Sequence, residues 1–312
     1  MTSDGRGTWL RLPTSQKLRM TNDPLKRVPP GNQIPQVIHQ TYSTARLPQA
    51  LESNRSYLQE LNRDWEVRLY DDEARDIYVR KHFGPKIAQI LQSIDPRYGA
   101  ARADFFRYLL IYNEGGCYLD IKSSMSRPIA EGLRPDDRYV ISQWDNGPGE
   151  KYEGWGLLTD IAHIVGGEYQ QWHLIAAPGH PLLRCVILKV IQNIESYRPE
   201  RAGVGALGVW RLAGPIPYSV VLDNYRHLHP HRKVEAHADL GLIYNIFHGP
   251  GRIDETNRNG HHKAFKNLHY TELTSPLVRL NLYRRLMWLK YQTRRKVAER
   301  MRALQASMAT RT

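Results

Sequence analysis

The sequence predicts an α/β protein in which helices flank a central sheet. From residue 34 onward, short apolar runs alternate with longer segments of helical periodicity, which is typical of this fold class. The composition is globular, with 41% hydrophobic and 24% charged residues, so the chain as a whole is neither disordered, collagen-like nor a coiled coil. Its 312 residues suit one large domain or two ordinary ones.

The predicted elements follow from local patterns along the chain. Strand-like runs occur at 34–42, 65–72, 117–121, 139–144 and 173–177. Apolar residues at helical spacing predict helices at 48–61, 73–81, 85–93, 99–113 and 181–197. The glycine-rich stretch at 203–208 lacks the preceding strand and the Lys-Ser/Thr pair of a phosphate-binding loop, so we expect a flexible loop on the acceptor side there.

The net charge of +13 is confined to the two ends of the chain. Residues 1–30 carry +4 and residues 277–312 carry +9, whereas the 28 bases and 28 acids between them cancel. A nucleic-acid-binding domain carries a basic stripe across its fold, so a neutral body indicates no specific nucleic-acid partner. We divide the chain into a flexible basic tail (1–33), a globular domain (34–276) and a basic C-terminal helix (277–312).

The C-terminal segment predicts a basic amphipathic helix. Val278, Leu282, Leu286 and Leu289 recur at intervals of three or four residues, and Lys and Arg residues occupy much of the remaining surface. Such a helix with Trp and Tyr side chains can lie on an anionic membrane surface. The alternatives are packing against the body with a solvated basic face, or contact with a protein or nucleic-acid partner.

Other features of the chain predict a cytoplasmic protein. Its first twenty residues contain no apolar run of the kind found in secretory signals, and no apolar stretch is long enough to span a membrane. Two cysteines, Cys117 and Cys185, cannot form a disulfide framework, which favours a reducing compartment. With the C-terminal helix, these observations predict a peripheral protein on the inner face of the cell membrane.

The segment ADFFRYLLIYNEGGCYLDIK, residues 103–122, carries the chemistry. Asp104 and Arg107 are three residues apart and share one face of the predicted helix. Gly115-Gly116 follow as a glycine C-cap, and Asp120 comes at the end of the apolar strand. Because ligands bind beyond the carboxyl ends of strands in open α/β sheets, these groups suit a diphosphate, a metal ion or sugar hydroxyls. Each residue alone also fits a structural role, as a turn cap or a surface ion pair.

Three segments in order, IPQVIHQTY, ARADFFRYLLIYNEGGCYLDIK and VWRLAGP, resemble glycosyltransferase family 32. This family contains the DXD sugar-binding region and includes yeast initiating mannosyltransferases and bacterial capsular-polysaccharide enzymes. The resemblance covers about residues 34–215. It implies a GT-A-like nucleotide-sugar-binding fold with a mixed central sheet. It also implies that a sugar passes, with retention of configuration, from a nucleotide-sugar donor to a polysaccharide or glycolipid acceptor.

The resemblance assigns donor binding to seven residues: Tyr42, Asp104, Arg107, Tyr118, Asp120, Gly214 and Pro215. It implies that Tyr42 stacks on the nucleotide base, that Asp104 contacts the donor sugar and ribose, and that Arg107 contacts the sugar or phosphate. Asp120 matches the first acid of the DXD motif and so a metal ligand. A C-terminal histidine often closes the donor site in this family; His262 matches it weakly and is taken as a second candidate metal ligand.

The chain departs from the family pattern because Asp120-Ile121-Lys122 replaces Asp-x-Asp. The missing second acid normally supplies the closest carboxylate ligand of Mn²⁺ or Mg²⁺. The Lys122 ammonium would repel that ion but could itself neutralise the departing diphosphate. We therefore take Asp120, Lys122 and Arg107 as the catalytic residues and favour metal-independent transfer. Metal-dependent transfer remains an alternative, as does a catalytically impaired nucleotide-sugar-binding protein or a nucleic-acid-associated protein using its basic ends.

Overall fold

The computed structural model describes residues 23–247 and 269–309, and a six-stranded mixed sheet lies at its centre. In chain order the strands are β1 (Val37–Thr41), β2 (Glu66–Tyr70), β3 (Gly116–Leu119), β4 (Ser124–Met125), β5 (Tyr139–Ile141), β6 (His173–Ala176), β7 (Arg232–Lys233) and β8 (Leu242–Ile243). The central sheet has the order β2-β1-β3-β6-β5-β7, and β4 pairs with β8 in a second, two-stranded sheet. Strands β1, β2 and β3 are parallel, whereas β6 is antiparallel to both its neighbours.

Helices cover both faces of the central sheet. In chain order they are α1 (Gln49–Leu61), α2 (Asp72–Ser93), α3 (Gly99–Glu114), α4 (Pro181–Glu195), α5 (Pro199–Ala202), α6 (Gly205–Leu212), α7 (Pro215–Tyr225), α8 (Ala236–Leu240) and α9 (Leu282–Ala309). The larger core packs α2, α3, α4 and α7 against one face, while α1 and α8 contribute to the core on the other. Adjacent residues of β3, Cys117 and Tyr118, belong to these two different cores, as the alternation of side chains along a strand requires. The mixed sheet flanked by helices confirms the predicted fold class.

The five predicted strands and the helices between them correspond to β1, β2, β3, β5, β6 and to α1 through α4. Element α2 contains the two helices predicted at 73–81 and 85–93, separated by a kink. Gly84 has a φ of 79° at this point, and Pro85 follows it. This non-helical glycine ends the first helix, and Pro85 is well suited to begin the second.

The stretch at 203–208 was predicted to be a flexible loop, and this prediction is wrong. Helix α6 begins at Gly205 and includes Gly208. A Cβ atom on Gly208 would lie 2.5 Å from the Cδ1 atom of Leu277, so the absence of a side chain permits close packing there. The glycine therefore reflects the approach of a distant segment rather than local flexibility.

The prediction that residues 1–33 form a flexible tail is wrong for residues 23–33. Leu25 is buried against the body, and the Val28 N–H donates to the Tyr112 hydroxyl at 3.1 Å. Prolines prevent regular secondary structure in this segment but not the packing of its apolar side chains as an extended chain. The remaining residues of the predicted tail lie outside the described part.

The C-terminal helix begins later than the predicted boundary at residue 277. Leu277 and Val278 are buried in the larger core, and Val278 pairs with Ile94 of the body. Helix α9 starts at Leu282, so Val278 is not part of the helical stripe proposed for it. Among the residues that the structure describes, no helix has both the length and the apolar content required to cross a membrane.

Candidate active site

A cavity of about 500 Å³ opens at the carboxyl ends of β1, β2 and β3. Because these three strands are parallel, the residues that follow them meet at one edge of the sheet, where ligands bind in open α/β folds. The described lining contains the cations Arg75, Arg97, Arg107 and Lys122. Each of these arginines is paired with an aspartate, whereas no described acid forms an ion pair with Lys122, so Lys122 offers its charge to an anionic ligand.

Arg107 joins the two acids of the predicted motif. Its Nη2 atom lies 3.0 Å from Asp104 Oδ1 and 3.1 Å from Asp120 Oδ1. Helix α3 supplies Asp104 and Arg107 from one face, and the Gly-Gly turn brings β3, with Asp120 at its end, back alongside that helix. The structure therefore brings together the three residues that the sequence singled out. Because both carboxylates share one guanidinium, Arg107 fixes their separation.

Gln171, two residues before β6, is hydrogen-bonded to this cluster. Its backbone oxygen accepts from Arg107 Nη1 at 2.6 Å, and its side-chain amide donates to Asp104 Oδ1 at 3.3 Å. Its side-chain oxygen accepts from the Tyr108 hydroxyl at 2.9 Å. In the antiparallel register of β3 and β6, Leu119 pairs with His173 and the Asp120 N–H donates to the Trp172 carbonyl, so Gln171 is the next residue along. Most of the hydrogen-bonding capacity of the Arg107 guanidinium is thus directed at protein groups.

Tyr118 supports Asp120 from β3. The Tyr118 hydroxyl donates to Asp120 Oδ1 at 3.3 Å and lies 3.0 Å from Thr41 Oγ1. The guanidinium carbon of Arg107 lies 4.6 Å from the centroid of the Tyr118 ring, a cation–π contact. Tyr118 is itself buried, and its ring forms part of the cavity wall. It therefore holds Asp120 and Arg107 in place at the edge that faces the cavity.

The pKa of Asp104 is raised to about 7. Burial is the largest cause, since it disfavours the charged form; the Arg107 guanidinium acts in the opposite direction. Asp120 is nearby and raises the pKa further. The buried carboxyl, which does not itself line the cavity, therefore gains its charge near neutral pH.

Asp104→Asn is expected to flatten the pH dependence of stability. In the parent, the folded state retains a proton that the unfolded state has lost between about pH 4 and pH 7. The free energy of unfolding therefore falls as pH rises through this range, by at most about 1.4 kcal/mol per pH unit from this group. Asparagine cannot ionise, so the free energy of unfolding of the variant should increase relative to that of the parent as the pH rises. Urea denaturation at several pH values measures it.

The exposed Asp136→Asn variant is the control for this comparison, because a carboxylate in water should change stability little at any of these pH values. A stability difference between Asp104→Asn and the parent that stays constant from pH 4 to pH 8 would contradict the raised pKa of Asp104.

Tyr42, the residue predicted to stack on the nucleotide base, lies at the cavity. It follows β1, its N–H donates to the Tyr70 carbonyl at 3.1 Å, and its ring forms part of the cavity wall. The ring packs against a small apolar cluster that contains Leu51, Ile121 and Phe247. An aromatic face held in this way offers a flat surface to a planar ring.

Lys122 also lines the cavity, two residues beyond Asp120. Its Nζ atom donates to the Tyr244 hydroxyl at 3.0 Å and lies 4.4 Å from the centroid of that ring. Burial favours the neutral amine, but the Tyr244 hydroxyl and the Asp120 carboxylate raise the pKa of Lys122 above its usual value. The side chain therefore carries a positive charge into the wall of the site.

The described residues do not fit a divalent metal ion at the position of the DXD motif. Asp120 is the single carboxylate of the motif, and its Oδ1 atom already faces Arg107 and the Tyr118 hydroxyl. Lys122 occupies the position of the second acid, and a second cation there opposes metal binding. Within residues 23–247 and 269–309, no three His, Cys, Asp or Glu side chains form a cluster that could hold a metal ion.

The other predicted site residues lie elsewhere. Gly214 and Pro215 begin helix α7 and do not line the cavity; they connect to it through the Ala213 carbonyl, which accepts from the Tyr108 hydroxyl at 3.0 Å. Their role near the donor therefore remains a prediction. His262, the weakly predicted metal ligand, lies outside the described residues.

The sequence analysis missed several parts of the cavity wall. His269 and Tyr270 line it from the segment that precedes α9, and only a histidine nearby in sequence had been considered. On the opposite wall, Arg75 donates to Asp72 at 2.6 Å. The rule that selected Asp120 could have found this pair, because the acids at 71 and 72 also follow a strand of the parallel group, β2.

The family comparison covers the central part of this site. Residues 48–140 match the model of the glycosyltransferase sugar-binding region containing DXD motif. The matched segment runs from α1 to β5 and includes Asp104, Arg107 and Asp120. The mixed sheet flanked by helices is the arrangement that a GT-A-like fold predicts.

Several curated proteins resemble a longer part of the chain. A mannosyl phosphorylinositol ceramide synthase of Saccharomyces cerevisiae is 25% identical over 63% of this chain and 44% of its own length. Inositol phosphoceramide mannosyltransferase 3 of Schizosaccharomyces pombe is 31% identical over 62% of this chain and 46% of its own length. The initiation-specific alpha-1,6-mannosyltransferase of S. cerevisiae is 24% identical, with 59% and 42% covered. The chain thus spans less than half of each of these relatives.

Two solved structures have a partial likeness to the chain. The PaToxG glycosyltransferase is 16% identical with a TM-score of 0.44, covering 63% of this chain and 71% of its own. The UDP-bound glycosyltransferase domain of the YGT toxin is 9% identical with a TM-score of 0.45, covering 78% and 84%. The family model and the curated relatives agree with the resemblance found in the sequence: residues 48–140 match the glycosyltransferase sugar-binding region containing DXD motif.

Proposed function

We propose that this protein is a retaining glycosyltransferase that moves a sugar from a nucleotide-sugar donor to a glycan or lipid-linked acceptor. The observation that carries this proposal is the cluster of Asp104, Arg107 and Asp120 at the end of β3, inside the segment that matches the family. The cavity beside it has the positive charge that a nucleoside diphosphate requires.

In this proposal the two ends of the donor bind different walls of the cavity. Tyr42 stacks on the base, and Asp120 accepts a hydrogen bond from a hydroxyl group of the donor. Asp104 is buried behind the lining and holds Arg107 in place. Lys122 faces the diphosphate, which becomes more negative as the bond between the sugar C1 and the phosphate oxygen breaks. The acceptor oxygen forms a bond to C1 on the same side, and its proton passes to the departing diphosphate. Stabilising the charge of the leaving group lowers the barrier.

We propose that Lys122 takes the place of a metal ion in this step. An ammonium group held by Tyr244 near Asp120 supplies positive charge without needing carboxylate ligands. The sequence-based preference for metal-independent transfer thus agrees with the donor set, in which a single motif carboxylate already faces Arg107. Mn²⁺ or Mg²⁺ is accordingly not expected to be required.

Release of nucleoside diphosphate tests the function directly. The names of the relatives refer to mannose, so the screen starts with nucleotide-linked mannose and extends to glucose and galactose donors. Each donor is tested with inositol-containing lipid and with mannoside acceptors. We expect release with one donor class that is equal with added Mn²⁺ and with a chelator. Donor binding without release from any donor, in the presence or absence of metal, would instead indicate an impaired binding protein.

We further propose that α9 attaches the protein to an anionic membrane surface, at the cytoplasmic leaflet where such lipids are enriched. The helix carries eight Lys and Arg residues and one acid, Glu299. Leu282 is 75% exposed, and Leu286 and Leu289 are also exposed, whereas Trp288 is only 8% exposed. Trp288 therefore anchors the first half of α9 to the body, and the exposed leucines stand among basic side chains, as interfacial helices require.

Removing residues 282–312 should abolish binding to anionic vesicles and leave the fold intact. The deletion starts after Leu277 and Val278, which belong to the core. Each basic side chain contributes at most about 1 kcal/mol at an anionic surface, and salt screens this attraction. Sedimentation with phosphatidylserine vesicles at low and high salt measures the loss, and donor binding reports the fold.

Replacing Arg294, Arg295 and Lys296 with Gln should weaken vesicle binding, whereas replacing Arg80 and Lys81 on α2 should not. Equal binding of the parent to neutral phosphatidylcholine and anionic vesicles, or binding to neither, would contradict the proposal. Loss of donor binding on truncation would show instead that α9 supports the fold.

A further inference from the structure

We propose that an acceptor sugar ring binds on an aromatic surface beside Lys122, formed by Tyr152, Trp155 and Tyr244. These three residues are called the aromatic platform below. All three side chains are half-buried, so each ring is held in place and still exposes part of its surface. The inference rests on the proposed function, because it names the site for the second substrate of that reaction.

The platform has a rigid base of two buried tryptophans. The Trp144 ring centroid lies 4.8 Å from that of Tyr152, 5.3 Å from Trp155 and 5.0 Å from Tyr244, each in an edge-to-face arrangement. Trp172 lies 5.4 Å from Tyr244 in the same manner. The Trp144 Nε1–H donates to Glu168 at 2.6 Å, which fixes the central ring. Contacts of this kind lock the orientation of the platform rings.

A glycine-rich loop presents Tyr152 and Trp155. The Asn146 amide donates to the Trp155 carbonyl at 2.7 Å, and the Tyr152 N–H donates to the Asp145 carbonyl at 2.9 Å. Gly156 has a φ of 72°, and a Cβ atom there would lie 2.6 Å from the Trp144 ring. The loop is therefore folded closely onto the aromatic base, and its glycines place no side chain over these rings.

The platform is continuous with the cavity through one contact. Lys122 lines the cavity, and its Nζ atom bonds to the Tyr244 hydroxyl at 3.0 Å. A sugar ring on the platform thus lies beside Lys122, and Lys122 is two residues from Asp120 in the sequence. The acceptor hydroxyl must approach the same side of the donor sugar as the diphosphate that Lys122 faces. The platform adjoins this side.

The chemistry of the platform favours a sugar ring over a purely apolar ligand. The face of an aromatic ring carries negative charge density, which attracts the positively polarised C–H groups on one face of a pyranose. The Lys122 ammonium lies over the Tyr244 ring, 4.4 Å from its centroid, and the Lys151 ammonium lies over the Tyr152 ring at 5.3 Å. These cations and the tyrosine hydroxyls can bond the hydroxyl groups of the sugar. Few well-placed polar groups around aromatic faces are typical of small-molecule sites.

Trp155→Ala and Tyr152→Ala are expected to raise the KM for the acceptor about tenfold, a loss of about 1.4 kcal/mol, because Trp and Tyr are enriched among the residues that dominate binding. Transfer to methyl α-D-mannopyranoside measures this, and hydrolysis of the donor by water measures the donor site alone. Hydrolysis and donor binding should stay at the parent level. Trp155→Phe should retain most of the acceptor affinity, and Tyr57→Ala, an exposed aromatic on α1, should change neither rate.

An unchanged acceptor KM in both alanine variants, or equal losses of transfer and hydrolysis, would overturn the inference. Circular dichroism identifies a variant that fails to fold, and Trp155→Phe and Tyr152→Ala then carry the comparison. If the parent releases no nucleotide from any donor, the proposed function fails while the platform remains measurable. Saturation-transfer NMR with the same mannoside then decides. A signal that is present in the parent and lost in the alanine variants supports the platform. A signal of equal strength in parent and variants, or no signal in the parent, overturns it.

Discussion

Asp120→Asn is expected to lower nucleoside diphosphate release about 100- to 1,000-fold, the range found when one group that stabilises the reacting charges is removed. Asparagine keeps the shape of the side chain but removes the charge that Arg107 and the Tyr118 hydroxyl hold at 3.1 Å and 3.3 Å. The carboxylate faces a cavity rather than the core, so the melting temperature should change little. A coupled assay for released diphosphate measures the effect.

Asp160→Asn is a matched control for Asp120→Asn. Asp160 is also paired with an arginine, Arg211, at 2.9 Å, and its side chain is 21% exposed against 22% for Asp120. It does not line the cavity, so its replacement should leave release unchanged. Normal turnover by Asp120→Asn, with a folded protein, would remove Asp120 from the site.

Lys122→Asp should make nucleoside diphosphate release depend on Mn²⁺. The substitution restores the Asp-x-Asp pattern and removes the ammonium that we propose faces the diphosphate. Without added metal, release should fall about 100-fold or more, since the leaving group loses its positive partner. With Mn²⁺, part of the activity should return, because two carboxylates and the diphosphate oxygens then offer suitable ligands.

Lys122→Ala should lose the same activity without recovery by Mn²⁺, and Lys233→Ala, an exposed lysine on β7, should behave as the parent. Two results would contradict the role of Lys122. One is a parent protein whose release is abolished by a chelator, and the other is a Lys122→Ala variant that retains full activity.

The most local part of the site was predictable from the sequence. Asp104, Arg107 and Asp120 lie within seventeen residues, in a helix, a tight turn and a strand that each have a clear pattern. Gly115 and Gly116 adopt φ values of 72° and 94°, which explains why two glycines stand at this turn. Once these elements form, their connection alone brings the three side chains together.

The parts contributed by distant segments were not predictable in this way. Gln171, Tyr244 and Tyr270 reach the site because β6, the residues after β8 and the segment before α9 pack there, and no periodicity marks them. The two-residue strands β4, β7 and β8 are too short to produce a pattern. The helix at Gly205 was hidden because its glycines serve contacts with a segment about seventy residues later, at Leu277.

The segment between the cavity and α9 is short and is anchored to the body by backbone hydrogen bonds. From Tyr270 in the cavity wall the chain passes Ser275, whose carbonyl accepts from the Tyr98 hydroxyl at 2.6 Å, and Arg279, whose N–H donates to the Ser93 carbonyl at 2.9 Å. Three residues after Arg279 the helix begins, and the Asn281 side chain accepts from the Arg284 N–H at 2.9 Å. Because few rotatable bonds separate these anchored residues, the orientation of α9 relative to the cavity is restricted. Any surface that holds α9 therefore also sets the angle at which the cavity meets substrates arriving from that surface.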